Sequence, residues 1–152
     1  MKRPIVSVIV PVYNDEKRIG ICIDALLSQT YPHDNYEILI VDNGSNDRTR
    51  EVVKGYPVKL LVENRMQSSY LARNKAIPVA KGEIIAFTDA DCRPAPNWLI
   101  EGARTIFLED ADLVGGNVKF EFSSRGTGAE IWDSITNMKK KKNIKNRAVA
   151  KT

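Results

Sequence analysis

Ile84-Ile85-Ala86-Phe87-Thr88-Asp89-Ala90-Asp91 is an apolar run that ends in two carboxylates one residue apart. In extended backbone, alternate side chains share a side, so Asp89 and Asp91 point together. Hard oxygen donors paired in this way make a seat for Mg²⁺ or Mn²⁺, cations that hold a substrate diphosphate against a protein. The chemistry of such a seat is Lewis-acid assistance: the cation neutralises a departing nucleoside diphosphate in place of a proton donor.

Other chemistries lack their residues. His33, in the turn Tyr31-Pro32-His33-Asp34-Asn35, is the single histidine, which argues against a Ser-His-Asp or Cys-His nucleophile and against a histidine-rich metal site. Cys22 and Cys92 have neither a disulfide framework nor a zinc spacing, so both are expected as reduced thiols. No Gly-x-Gly-x-x-Gly follows the first strand-like run, and no Gly-x-x-x-x-Gly-Lys-Ser/Thr occurs. The glycines that cradle phosphate in dinucleotide and P-loop sites are therefore missing, and the counter-charge falls to a cation on Asp91.

These carboxylates need a scaffold. The chain has 152 residues and is 43% hydrophobic, the size and composition of one globular core. Ile5 to Val10 is a β-branched run that stops at Pro11, as a central parallel strand would. Asp15 is expected to cap a helix carrying Ile19, Cys22, Ile23 and Leu26. A second strand, 37–41, closes on Asp42-Asn43-Gly44-Ser45, and a short helix over 47–54 leads to a third strand, 58–62. Ser68 and Ser69 are expected to cap a helix that Pro78 ends, before a fourth strand over 83–88. A helix after Pro94-Ala95-Pro96-Asn97, a strand over 112–122 interrupted by Gly115-Gly116, and a last helix with Ile131, Trp132, Ile135 and Met138 complete the pattern, with Trp98 and Trp132 as core anchors.

Alternating strands and helices predict an α/β, Rossmann-like, mostly parallel sheet with helices on both faces, whose ligand sits beyond the carboxyl ends of the strands where the winding reverses. If the first and fourth strands are neighbours there, Pro11-Val12-Tyr13-Asn14-Asp15-Glu16 faces Asp89-Ala90-Asp91, with Asp42 one strand away.

The net charge of +4 is uneven. Residues 139–152 hold seven of the 23 Lys and Arg, which leaves 16 against all 19 acids in the first 138 residues. Lys139–Lys142 has no interleaved aromatics to stack bases, so nucleic acid is not an expected partner. The run reads as a solvated helix face, with weak contact to an anionic lipid surface as the alternative. No stretch approaches the roughly 18 apolar residues of a membrane span, and the expected location is cytoplasmic, with peripheral contact at the inner membrane face.

Together, Val8-Ile9-Val10-Pro11-Val12-Tyr13-Asn14, Ile40-Val41-Asp42-Asn43-Gly44-Ser45-Asn46-Asp47, Ala72-Arg73-Asn74 and Gly82 to Asp91 resemble, in order, the motifs of the family 2 glycosyltransferases of GT-A fold. The resemblance spans residues 5 to about 120. It implies inverting transfer from a nucleoside-diphosphate sugar, a UDP-sugar foremost, to a saccharide or lipid-linked acceptor. It also implies roles: Pro11, Val12, Tyr13, Asn14 and Asp42 would hold base and ribose, with Glu16, Asn43 and Ala90 in the same nucleotide-sugar site. Arg73 and Asn74 would support base and phosphate, Asp89 would meet ribose or sugar, and Asp91, with Asp89, would bind Mn²⁺ or Mg²⁺. Asn43 stands where the family often has a second Asp.

Members of this kind continue into an acceptor-binding half that supplies a carboxylate general base. Here no acid follows Asp133, and neither Glu130 nor Asp133 lies in a recognisable base motif, so the general base is left unassigned. The expected organisation is a nucleotide-sugar-binding domain over 1–122 and, over 123–152, a helix and basic tail that begin an acceptor half. Two alternatives stand beside this. One is a non-catalytic nucleotide-sugar-binding fragment or partner-dependent half-enzyme. The other is a flavodoxin-like signalling domain with Asp42 as phosphoacceptor.

Overall fold

A computed structural model of the chain describes residues 3–119 and 149–151. Its strands are β1 (Val6–Val12), β2 (Tyr36–Asp42), β3 (Lys59–Val62), β4 (Ile84–Phe87), β5 (Leu113–Val114) and β6 (Val149–Lys151). Its α-helices are α1 (Ile19–Leu27), α2 (Thr49–Lys54), α3 (Ser69–Ala76) and α4 (Trp98–Leu108). They build a six-stranded sheet in the order β3-β2-β1-β4-β6-β5. The β3-β2, β2-β1 and β1-β4 pairs are parallel, and β6 runs antiparallel to both β4 and β5.

The alternation of side chains along β1 divides the core. Val6, Val8, Val10 and Val12 face one way and meet Ile19, Ile23 and Leu26 of α1, Val53 of α2, and Leu99, Ala103 and Ile106 of α4. Ile9 faces the other way, with Leu39, Val41 and Ile85, against Ala72 and Ala76 of α3. Every β1 residue is buried, as a strand covered on both faces requires. Each fully buried Ile or Leu contributes roughly 1.5–3 kcal/mol by leaving water, so β1 and its two helix layers are the stabilising centre.

Among the parallel strands, chain order and sheet order part company at one place. β1, β2 and β3 step outward in one direction, and β4 returns to the other side of β1. The winding therefore reverses between β1 and β4, and that is where a crevice opens at the carboxyl ends of parallel strands.

The start of β4 is set by close backbone approach. Ser7 Oγ donates to Glu37 Oε1 at 2.7 Å and accepts the Gly82 and Lys81 N–H groups at 2.8 and 3.1 Å. A Cβ on Gly82 would lie 2.4 Å from the Ser7 nitrogen, so only glycine fits there. Gln29, at the end of α1, does comparable work for α4: its Nε2 donates to Ala95 O at 2.8 Å while its Oε1 accepts the Leu99 N–H at 3.1 Å. A side chain distant in sequence thus satisfies an orphan donor in the first turn of α4.

Several sequence expectations change in detail. Asp15 does not cap α1 with its side chain; its carbonyl accepts the Arg18 and Ile19 N–H groups and its carboxylate turns to Arg18. Ser68 is the residue before α3 but makes no side-chain cap. Pro78 acts as expected: α3 stops at Ala76 and a 3-10 turn covers Ile77–Val79. The strand expected over 112–122 is only Leu113–Val114 among the described residues, and β6 was not anticipated at all. The last helix and Lys139–Lys142 lie outside the described residues. Among the described residues, no helix is long and apolar enough to cross a membrane.

Candidate donor site at the strand ends

Register places the carboxylates. Val12 at the end of β1 pairs with Asp42 of β2, and Ile9 pairs with Phe87 of β4. The Thr88 N–H still donates to Ile9 O, so the chain leaves β4 alongside the last residues of β1. Asp42 and Asp89 consequently flank the end of β1 on its two sides. Ala90 is buried in the core cluster, which turns its neighbours outward: the Asp89 and Asp91 side chains are 60% and 53% exposed. The side chain of Ala90 is thus spent on packing, and only its backbone is left to meet a ligand.

Asp42 is fully buried. Its Oδ2 accepts from Arg50 Nε at 2.6 Å and from the Gly44 and Ser45 N–H groups at 3.2 Å. Gly44 reaches this turn with φ +83°, a left-handed backbone that glycine adopts without strain. Asp42 Oδ1 is buried with no hydrogen-bond partner. An orphaned carboxylate oxygen is costly in a folded protein, and a ligand N–H or O–H is the kind of group that relieves it.

Asn43 is occupied. Its Nδ2 donates to Glu63 O at 3.0 Å and to Met66 O at 2.9 Å, and its Oδ1 accepts the Ser68 N–H. These contacts hang the β3-to-α3 loop from the end of β2. An aspartate could not make both donations, which gives the departure from Asp at this position a physical reason. Beside it, Glu63 is buried and clasped by Arg65, whose guanidinium and backbone N–H hold the carboxyl far below its ordinary range, at about 2.

The β1-to-α1 loop is stitched to the β2-to-α2 loop. Asn14, at φ 47°, donates its N–H to Ser45 Oγ and accepts the Asn46 N–H on Oδ1. The Asp15 N–H donates to Thr49 Oγ1, the Glu16 N–H to Asp47 Oδ2, and Glu16 Oε2 accepts the Arg48 N–H. Asn14 and Glu16 therefore shape the rim from behind. Tyr13, 44% exposed, stands at its mouth.

A cleft of about 240 Å³ lies between these loops, lined by Pro11, Val12, Tyr13, Asn43 and Asp89 together with Gln67, Ser68 and Ser69. The first five are candidates named from the sequence. Gln67, Ser68 and Ser69 were missed as lining residues, although a loop leaving the carboxyl end of a parallel strand was a signal for them. Arg73 reaches the cleft edge from α3, its Nη2 2.7 Å from Asp89 Oδ1, whereas Asn74 is exposed on the same helix and is not among the lining residues. A larger cavity, about 300 Å³, opens near the start of β2 beside Tyr36 and Lys59, at the other end of the strand from Asp42, and gathers none of the strand-end carboxylates.

Asp91 faces Arg18, whose Nη1 lies 3.8 Å from its Oδ2. Below, Cys22 Sγ is 3.6 Å from Asp89 O, and burial pushes this thiol up to about 12, so it stays a neutral donor bracing the strand end. Among the described residues no group of three or more His, Cys, Asp or Glu could hold a metal unaided. The donor set still suits Mg²⁺ or Mn²⁺, which take one or two carboxylates and complete their shells with phosphate oxygens and water.

The fold is that of a transferase class. The chain belongs to glycosyl transferase family 2, whose model matches residues 7–150. It is 48% identical over 154 aligned residues to the glycosyltransferase AglE of Haloferax volcanii, covering 98% of this chain and 51% of that protein. It also superposes on the Pyrobaculum calidifontis mannosyltransferase PcManGT, solved with GDP-Man and Mn²⁺, with a TM-score of 0.71 and 31% identity over 78% of this chain and 37% of the other. TarS of S. aureus, solved with UDP-GlcNAc, matches with a TM-score of 0.63 and 31% identity over 79% of this chain and 37% of the other. The chain thus spans about half the length of the Haloferax relative and less of the two solved neighbours. Family membership sets aside the phosphoacceptor alternative for Asp42.

Proposed function

We propose that the chain binds the donor of a glycosyl transfer, a nucleoside-diphosphate sugar, at the ends of β1, β2 and β4. The carrying observation is convergence: Asp42, with its unpartnered oxygen, and the Asp89–Asp91 pair flank the carboxyl end of β1, and Asp89 also lines the cleft there, whereas Asp42 and Asp91 are not among its lining residues. In this reading Asp42 accepts from the base or ribose, which requires the cover over its Oδ1 to shift. Tyr13, Gln67 and Ser68 wall the nucleoside, and Asn43 positions the wall. Asp91, with Asp89, holds Mn²⁺ or Mg²⁺, which on binding neutralises the diphosphate. Arg73 restrains Asp89 and adds positive charge at the edge of the cleft. That PcManGT was solved with Mn²⁺ supports the metal, and the nucleotide sugars in the PcManGT and TarS complexes support the donor class.

The activity of the whole protein is proposed to be inverting transfer to a saccharide or lipid-linked hydroxyl, in the cytoplasm. No described residue is assigned as general base. Division into a donor domain over 1–122 and the start of an acceptor part over 123–152 belongs to the same proposal.

Calorimetric titration of the chain with UDP, GDP and dTDP, with and without MnCl₂, tests the reading. Binding of at least one nucleotide that strengthens with Mn²⁺ and loses that gain in Asp91→Ala is expected. Absence of binding by all three, with and without metal, overturns it.

A further inference from the structure

Asp15 is a buried carboxylate, 8% exposed, yet the side chain it engages belongs to a surface residue. Its Oδ1 accepts from Arg18 Nε at 2.8 Å, and the far end of the same guanidinium, Nη1, lies 3.8 Å from Asp91 Oδ2. Asp15 is itself fixed, its N–H on Thr49 Oγ1 and its carbonyl on the first turn of α1. Burying an anion to hold one face of a 60% exposed arginine does little for stability, since exposed ion pairs contribute little. What the arrangement achieves is aim. The guanidinium is anchored through Nε and keeps its terminal N–H groups toward Asp91.

From this geometry we infer that Arg18 is a further residue of the donor site: a cation fixed by Asp15 that pairs with Asp91 and contacts the diphosphate once a metal ion takes Asp91. The inference rests on the donor-site reading above. A guanidinium presents planar, paired donors that match phosphate oxygens, and one anchored through Nε still offers its terminal N–H groups. The same residue opposes metal binding in the absence of phosphate, because a cation arriving at Asp91 meets a positive charge already in place. Metal and diphosphate are thereby made to arrive together.

The test titrates wild type, Arg18→Ala, Arg18→Lys and the charge control Lys54→Ala, an exposed lysine at the far end of α2. Inorganic pyrophosphate in the presence of MnCl₂ is followed by calorimetry, and MnCl₂ alone by the electron paramagnetic resonance signal of the free ion. Circular dichroism melts confirm folding. Arg18→Ala is expected to bind pyrophosphate about five- to tenfold more weakly and Mn²⁺ alone about two- to threefold more tightly, the size of one charge-assisted contact in a partly wet site. Arg18→Lys should recover part of the pyrophosphate affinity, and Lys54→Ala should match wild type. Pyrophosphate binding by Arg18→Ala equal to wild type overturns the inference and leaves the donor site standing. A wild-type chain that takes no pyrophosphate with Mn²⁺ overturns the inference, and one that also takes none of UDP, GDP and dTDP overturns both.

Discussion

Arg50 Nε lies 2.6 Å from Asp42 Oδ2, while Asp42 Oδ1 is buried without a partner. One half of the carboxylate is thus saturated and the other is left open, an arrangement that holds the side chain rigid and keeps an acceptor in reserve. Asp42→Asn removes the charge that Arg50 and two backbone amides converge on. Loss of about 1–3 kcal/mol in urea unfolding is expected, with nucleoside diphosphate affinity lowered about tenfold or more by calorimetry. Full affinity with lowered stability would assign Asp42 to the scaffold alone.

Asn43→Asp is nearly isosteric, and it is expected to be harmful. Two donated hydrogen bonds, to Glu63 O and Met66 O, become contacts between oxygens. Destabilisation of about 2–4 kcal/mol should appear in urea unfolding, because the buried Glu63 carbonyl and the part-buried Met66 carbonyl lose their donor. Weaker nucleotide binding should accompany it as the wall built by Gln67 and Ser68 loosens.

Gly82→Ala tests the backbone approach at the start of β4. The new methyl would meet Ser7 N at 2.4 Å and Ile84 O at 2.7 Å, atoms that cannot move without breaking the sheet. A loss of about 2–3 kcal/mol is expected, read as a lower urea midpoint with unchanged slope.

Acid should remove one identifiable contribution. The Glu63 carboxyl sits at about 2 in the fold against its ordinary 4.5, chiefly through the hydrogen bonds from Arg65. A depressed carboxylate stabilises fully above the unfolded value and loses that effect as pH falls through the folded one. The stability difference between wild type and Glu63→Gln should therefore be constant above about pH 5 and shrink between about pH 4.5 and 2, as measured by urea midpoints. A difference independent of pH would detach Glu63 from this effect.

Much of the scaffold was legible because its signals are local. The β-branched run of β1, the apolar approach to Asp89 and Pro78 after α3 each carry their structural meaning within a few residues. The convergence of Asp42 with Asp89 was legible too, since alternating strands and helices leave few sheet orders to choose from. What escaped depends on side chains that meet across the fold. Asn43 reads as a ligand contact in sequence and proves to hold the β3-to-α3 loop, and Asp15 reads as a helix cap and proves to aim Arg18. β6 escaped because Val149 to Lys151 is too short to stand out, and its pairing is specified by β4 and β5 far upstream.

The position of β6 also constrains the order in which the molecule is assembled. Among the described residues β5 touches the sheet only through β6, and Ile84 must wait for Lys151, far along the chain, before that flank of β4 is closed. Closing so long a loop is slow, and during synthesis the unpaired backbone of Ile84–Phe87 stays open as a template for stray strands. A nascent chain stalled before residue 149 would therefore lack two strands of its sheet and present a sticky edge immediately beside Asp89 and Asp91.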